Sequence, residues 1–203
     1  MRIRKLHRII GLVLAIPFLG WVITGFVFFL KPGYAGAYEL LQPKTYPLDP
    51  AISVRADPSW LEFRCSKTIL GNHLLARTSE GWVHLDPISL RPKESPTEEE
   101  IKLLLVDAFT ANPQRYGQIA SVSSNTITTD TNARITLDWK RLSLQQRGND
   151  TDRIDLLYRI HYLQWTGLTS IDRLLGPLGL LLVFTLSVLG VRLGIDSVRE
   201  SKR

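Results

Sequence analysis

Two long runs without a charged side chain, one near each end of this 203-residue chain, constrain its structure more than any other feature. Residues 9–30 (IIGLVLAIPFLGWVITGFVFFL) form 22 consecutive uncharged positions, and residues 174–191 form 18. At about 1.5 Å of rise per helical residue, each run can extend across most or all of a hydrocarbon core roughly 30 Å thick. The sequence therefore predicts two transmembrane helices, at residues 9–30 and 174–193.

The excess positive charge of the chain lies outside these runs, on two short tails. The chain has 25 Lys+Arg and 19 Asp+Glu, a formal net charge of +6, and residues 31–173 hold 17 of each sign. Because basic residues accumulate at the cytoplasmic ends of membrane helices, both tails (residues 1–8 and 194–203) are predicted to be cytoplasmic. The pI near 9.6 results from these two membrane-flanking tails and not from a basic patch on a folded surface. The expected partner is therefore the lipid bilayer and not nucleic acid.

An alternative interpretation of the first run is a cleaved signal peptide. Ala35-Gly36-Ala37 resembles a signal-peptidase site, and cleavage there would leave a chain that begins at Tyr38. The apolar region of a signal peptide has about 7–15 residues, and the run here is longer, so a retained helix is the preferred interpretation.

The residues between the two runs predict a Pro-, Gly- and Tyr-rich linker (31–58) and a small domain (59–150) of class α+β, with an antiparallel sheet and a helix. Residues 73–87 predict a β-hairpin with a three-residue loop, Ser79-Glu80-Gly81. Ser95 is predicted to cap a helix that continues to Phe109, with its apolar residues at helical spacing.

Two further strands are predicted, over residues 118–129 and 134–146. In the second, the apolar alternation changes phase after Lys140, which predicts a bulge or the end of the strand there. Residues 151–173 predict an amphipathic helix with an apolar and aromatic stripe, which is typical of a helix in the lipid headgroup layer.

The sequence motifs of the chain give little support for metal binding or catalysis. His73 and His84 could share a zinc ion across the predicted hairpin. The three-residue loop, however, places the two rings on opposite faces of the hairpin, and no Cys or acidic cluster completes a ligand set. The common nucleophile, metalloprotease, phosphate-loop and dinucleotide motifs do not occur in the sequence, so no metal site and no catalytic residue are predicted.

His7, Gly11 and His161 are candidate haem-binding residues. A glycine four residues after a histidine leaves space on one helix face for a flat ring. His7 lies at the cytoplasmic end of the first predicted span and His161 near the outer end of the second, so the two cannot bind one haem b within a single chain. A haem site would need a second copy or another protein. The other interpretation of His7 is a titratable residue at the membrane interface.

Three segments resemble the PepSY-associated transmembrane proteins of bacteria. They are residues 4–8 (RKLHR), Thr24-Gly25, and residues 161–167 (HYLQWTG). The predicted hairpin from Trp82 to Pro87 and the helix that follows are similar to a PepSY domain. The resemblance covers nearly the whole chain, and it implies a multi-pass protein of the bacterial inner membrane with a periplasmic PepSY-like domain.

In that family the PepSY domain is associated with peptidase inhibition or protein interaction. The resemblance therefore implies that this chain presents its domain to a periplasmic or membrane protein partner and is not itself catalytic. Larger relatives include haem-bearing reductases of iron–siderophore complexes, and His7 and His161 match their histidine motifs. The alternative is thus a b-type haem subunit that assists ferric-siderophore reduction as an oligomer, such as a homodimer. This chain departs from those reductases because it has only two predicted spans.

Overall fold

The computed structural model describes residues 2–50, 52–123 and 125–201. Its class is α+β, as predicted, with a long apolar helix near each end of the chain and antiparallel sheets between them in sequence. The elements in chain order are α1 (Arg2–Leu30), α2 (Tyr34–Ala37), β1 (Glu62–Thr68), β2 (Gly71–Thr78), β3 (Gly81–Leu85), α3 (Glu98–Phe109), α4 (Pro113–Tyr116), β4 (Ile119–Ser123), β5 (Thr126–Thr129), β6 (Arg134–Asp138), β7 (Ser143–Arg147), α5 (Asn149–His161) and α6 (Thr169–Ser201).

These elements form two compact units, a helical unit (residues 2–34 and 152–201) and a sheet unit (residues 35–151). In the helical unit, α1 and α6 contain the two uncharged runs, and both are long and apolar enough to cross a membrane. They pack antiparallel through small residues. A Cβ atom added at Gly190 of α6 would lie 3.3 Å from Nε2 of His7, and one added at Gly11 of α1 would lie 3.8 Å from Cδ1 of Leu186.

The sheet unit contains two antiparallel sheets, with strand orders β1-β2-β3 and β4-β5-β6-β7. Its main core joins α3 to the four-stranded sheet. The apolar face predicted for the helix is confirmed, because its apolar residues at helical spacing are buried: Ile101, Leu104, Leu105, Ala108 and Phe109. The buried residues of this core are Leu41, Ile101, Leu104, Leu105, Ala108, Phe109, Tyr116, Ile127, Ala133, Ile135, Leu137 and Leu144.

The predicted start of α3 is wrong by two residues. Thr97, and not Ser95, is the N-cap, because its hydroxyl accepts a hydrogen bond from the backbone N–H of Glu100 and the Glu100 carboxylate accepts one from the N–H of Thr97. This start places Glu98, Glu99 and Glu100 in the first turn, where the helix dipole favours negative charge.

Each of the two strands predicted after α3 is in fact a hairpin. Residues 118–129 contain β4 and β5, and residues 134–146 contain β6 and most of β7. The phase change after Lys140 is explained by a turn, in which Leu142 has a positive φ of 48°. A single-strand interpretation failed because the side-chain alternation on both sides of a tight turn resembles one continuous strand. β1 was not predicted at all.

Candidate functional site

The histidine pair of the β2–β3 hairpin is arranged differently from the sequence-based prediction. The loop has two residues, with Thr78 opposite Gly81 and Leu75 opposite His84. The predicted three-residue loop is therefore wrong by one position, and a shift of one residue moves a side chain to the other face of a strand. As a result His73 and His84 lie on the same face, with Nδ1 of His73 2.9 Å from Nε2 of His84.

The hydrogen bonds of this pair define the protonation of both rings. Nδ1 of His84 lies 2.7 Å from the carbonyl oxygen of Trp139, which can only accept, so this nitrogen donates. Because burial keeps both rings neutral, Nε2 of His84 accepts from Nδ1–H of His73, and Nε2 of His73 accepts from the Thr68 hydroxyl at 2.7 Å. Both imidazoles are neutral, and each of their four nitrogens is used. The chain of bonds connects the three-stranded sheet to the turn after β6.

Burial holds both histidines in this neutral form. The two rings are 0% and 5% exposed. Burial lowers the pKa of His73 to about 3, helped by the positive charge of Lys93, and it lowers the pKa of His84 to about 4 despite the hydrogen bond to the Trp139 carbonyl. No ring nitrogen remains for a metal ion, and no group of three His, Cys, Asp or Glu side chains comes together anywhere in residues 2–50, 52–123 and 125–201.

His161 ends α5 and is held against α1. Its Nδ1 lies 2.8 Å from the hydroxyl of Thr24, and its carbonyl oxygen accepts a hydrogen bond from Nε1 of Trp21 at 2.7 Å. The Thr24 hydroxyl donates to the carbonyl of Gly20 at 2.6 Å, so it can only accept from the imidazole. The hydrogen of a neutral His161 is thereby placed on Nδ1, and Nε2 keeps its lone pair.

The structure does not bring the three candidate haem residues together. Thr24, which contacts His161, follows His7 by 17 residues of α1, which corresponds to about 25 Å along the helix axis. His7 packs on Gly190, and the space beside Gly11 is occupied by Leu186. The three residues therefore form two separate places on the helix pair.

The space beside His161 is small. A cavity of about 210 Å³ is lined by Trp21, His161, Tyr162, Leu163, Gly176 and Leu180. Cavities that enclose a ligand of drug or cofactor size are typically about 300–1,000 Å³. The cavity beside His161 is therefore too small to enclose a haem within one chain.

The sheet unit has an open groove between α3 and β4. It has a volume of about 710 Å³ and is lined by Glu98, Lys102, Val106 and Phe109 of α3 and by residues 117–122. Val106 is 57% exposed, while Phe109 is buried and Ile119 and Val122 are half-buried, so the floor is apolar and the rim is charged. We call this surface the α3/β4 groove.

One wall of the α3/β4 groove is the edge of a sheet. β4 pairs with β5 on one side, and no strand among the described residues pairs with its other side. A bulge at Ala120, between Ile119 and Ser121, interrupts the pairing with β5. An unpaired edge presents backbone N–H and C=O groups to which an extended chain can bind.

No local pattern in the sequence indicates the α3/β4 groove. The helix was predicted, but β4 and β5 were predicted as one strand, and which strand lies at the edge depends on the order of strands in the sheet. The sequence also gave no signal for Arg115, whose side chain is only 12% exposed and forms an ion pair with Asp150. Arg115 also donates to Gln146 at 2.6 Å, and Gln146 in turn donates to the backbone carbonyl of Glu39 at 3.0 Å. These four residues connect the first and last segments of the sheet unit.

No model of a known protein family, no curated protein and no solved structure matches this chain.

The buried histidine pair predicts a stability that decreases in mild acid. The unfolded chain binds protons on His73 and His84 below a pH of about 6.5, whereas the folded chain keeps both rings neutral until about pH 4 and about pH 3. The free energy of unfolding is therefore highest above pH 6.5, and between pH 6 and 5 it should fall by about 2.5 kcal/mol per pH unit. Denaturant titration of the full chain in detergent, followed by tryptophan fluorescence, measures this slope.

A matched variant separates the pair from other titrating groups. In His73→Gln the amide can donate to His84 and accept from Thr68, so the fold is kept and the slope between pH 6 and 5 should be halved. A free energy of unfolding that stays constant from pH 6 to pH 5 in the unmodified chain contradicts the neutral pair.

Proposed function

We propose that the chain is a two-pass protein of the bacterial inner membrane that presents a PepSY-like domain outside the cytoplasm, where the domain binds a protein partner. The observation that carries this proposal is the open α3/β4 groove, which combines an apolar floor with an unpaired strand edge. Such a surface is suited to binding a polypeptide. The chain acts in this proposal as a membrane-anchored binding module and not as an enzyme.

The exposed side chains of α1 and α6 support the membrane part of the proposal. In water they would form a large apolar surface, and each side chain of this size would cost about 1.5–3 kcal/mol relative to an apolar environment. Hydrocarbon removes that cost. Side chains that are at least 60% exposed include Leu12, Val13, Ile16, Leu19, Val22, Phe26 and Phe29 of α1 and Leu174, Leu180, Phe184 and Val191 of α6.

The positions of the resemblance segments support the PepSY-associated part. Thr24 and His161 belong to two segments that are 137 residues apart in sequence, and their side chains share a hydrogen bond. His7, from a third segment, packs on the opposite helix at Gly190. The residues that carry the resemblance thus make contacts within the helical unit.

The proposed topology predicts that both termini are cytoplasmic. A fluorescent protein that folds only in the cytoplasm should be active when it is fused after Arg203, and alkaline phosphatase, which is active only in the periplasm, should be active when it replaces the chain after Asp57. The reason is the confinement of surplus Lys and Arg to the two tails. The opposite pattern of activity contradicts the topology.

The proposed partner binding predicts site-specific cross-linking in membranes. A photo-reactive amino acid at position 106, in the α3/β4 groove, should give a cross-linked product with another protein. The matched control is position 88, where Ile88 is 83% exposed and does not line the groove. A product at position 88 alone would mean that a partner binds the sheet unit at a different surface. The absence of a product at every exposed position of the sheet unit would contradict the binding function.

A second candidate function is haem binding between two copies of the chain, as an oligomeric b-type subunit. It is favoured by one observation, the Thr24 hydroxyl that fixes the hydrogen of His161 on Nδ1 and leaves Nε2 with a lone pair, the arrangement of a metal-ligating imidazole. Because one chain does not enclose a haem, a second copy would have to complete the site.

The second candidate predicts a specific spectrum. After supplementation with haem, the purified protein would show Soret and α bands in a reduced-minus-oxidised spectrum, and His161→Ala would abolish them. His7→Ala tests the other candidate ligand in the same way, at the other end of α1. A featureless spectrum of the unmodified protein eliminates this candidate and leaves the binding module as the function.

A further inference from the structure

The groove-facing side chains of α3 are spaced like those of an extended strand. Glu98, Lys102 and Val106 follow one another at intervals of four residues, which is about 6 Å along a helix. Two residues of a β-strand span about 6.6 Å, and side chains two residues apart point to the same face. A strand laid along the α3/β4 groove can therefore direct successive inward side chains toward these three positions.

The charges in the α3/β4 groove are available to a partner. Glu98 and Lys102 are both exposed, and neither forms an ion pair with another residue of the described chain. The next position, Val106, is an exposed apolar side chain above the buried ring of Phe109. Charge complementarity therefore favours a partner segment that places a cationic side chain at Glu98, an anionic side chain at Lys102 and an apolar side chain at Val106.

The edge of β4 limits what can bind in this way. The bulge at Ala120 distorts the strand, so its regular part is short and ends at Ser123. Bulges at sheet edges prevent indiscriminate pairing with other strands. A short strand edge can form backbone hydrogen bonds with only a few residues of a partner. Specific binding therefore also needs side-chain contacts, which α3 supplies.

We propose that the α3/β4 groove binds an extended segment of a partner protein as an additional strand beside β4, and that it selects the pattern cationic–x–anionic–x–apolar through Glu98, Lys102 and Val106. The inference rests on the proposed binding function and specifies the partner chemistry at its surface. The segment contributes backbone hydrogen bonds to β4 and alternate side chains to α3, and no covalent step is involved.

Synthetic heptapeptides test the pattern directly. The probe is the fluorescein-labelled peptide TKTETVT, with its termini blocked, together with its reversed sequence TVTETKT for a strand that runs in the opposite direction. Each is titrated with the full chain in detergent micelles and followed by fluorescence anisotropy. One of the two should bind about fivefold more tightly than its charge-exchanged control, TETKTVT or TVTKTET, since two exposed ion pairs become two repulsive contacts.

Two further measurements distinguish strand addition from simple charge attraction. The double variant Glu98→Lys/Lys102→Glu should reverse the preference between parent and charge-exchanged peptides, and both substitutions are at exposed positions. With the unmodified chain, two further peptides carry an N-methyl group on the anionic residue or on the threonine between the anionic and apolar positions. Binding of one of the two should be weakened, because successive N–H groups of a strand point to opposite edges and a methylated nitrogen cannot donate a hydrogen bond to β4.

Several outcomes would overturn the inference. These are equal affinities for parent and charge-exchanged peptides, a preference that the double variant does not reverse, or full binding of both N-methylated peptides. A dimer of the chain that Val106→Asp dissociates, without peptide binding, would assign the groove to a second copy and would also overturn it. If the peptides fail while cross-linking at position 106 succeeds, only the pattern is wrong and the binding function stands. If cross-linking succeeds at position 88 alone, the assignment to the groove is wrong as well, and the binding function stands.

Discussion

The sheet unit depends on one buried cation. Removing a guanidinium from water is costly unless its charge and its N–H groups are paired, so Arg115 requires Asp150 and Gln146 around it. Because these partners lie at the end of the unit in sequence, and Gln146 also bonds to the backbone of Glu39 near its beginning, the pairing of Arg115 closes the unit on itself. Gly36 shows how tight this closure is, since a Cβ atom there would lie 2.7 Å from Nη1 of Arg115.

The histidine pair has a similar role between the two sheets. His73 and His84 belong to the three-stranded sheet, and the carbonyl of Trp139, which accepts from His84, follows a strand of the four-stranded sheet. A polar connection in a buried position is stable only when every donor and acceptor is used, as is the case here. With its ends and its sheets fixed in this way, the unit offers α3 and β4 as a preformed surface, which lowers the entropic cost of binding a flexible segment.

The helical unit follows a different physical rule. Its two long helices expose apolar side chains on most of their surface and make close contacts through glycine, as at Gly190 and Gly11. Small residues of this kind allow membrane helices to approach without a hydrophobic driving force between them. Thr24 of α1 and His161 of α5 bond to one another, which is the arrangement expected for polar groups in the proposed membrane environment.

The sequence by itself determined the features that depend on neighbouring residues. The uncharged runs specify α1 and α6, and the apolar spacing from Ile101 to Phe109 specifies the buried face of α3, because helix formation and amphipathicity are local properties. Only the tertiary structure decided the register of His84, the free edge of β4 and the partners of Arg115. A change of one residue in the loop moves the ring of His84 to the other face of the hairpin, and strand order and ion pairing join residues too distant in sequence to leave a local pattern.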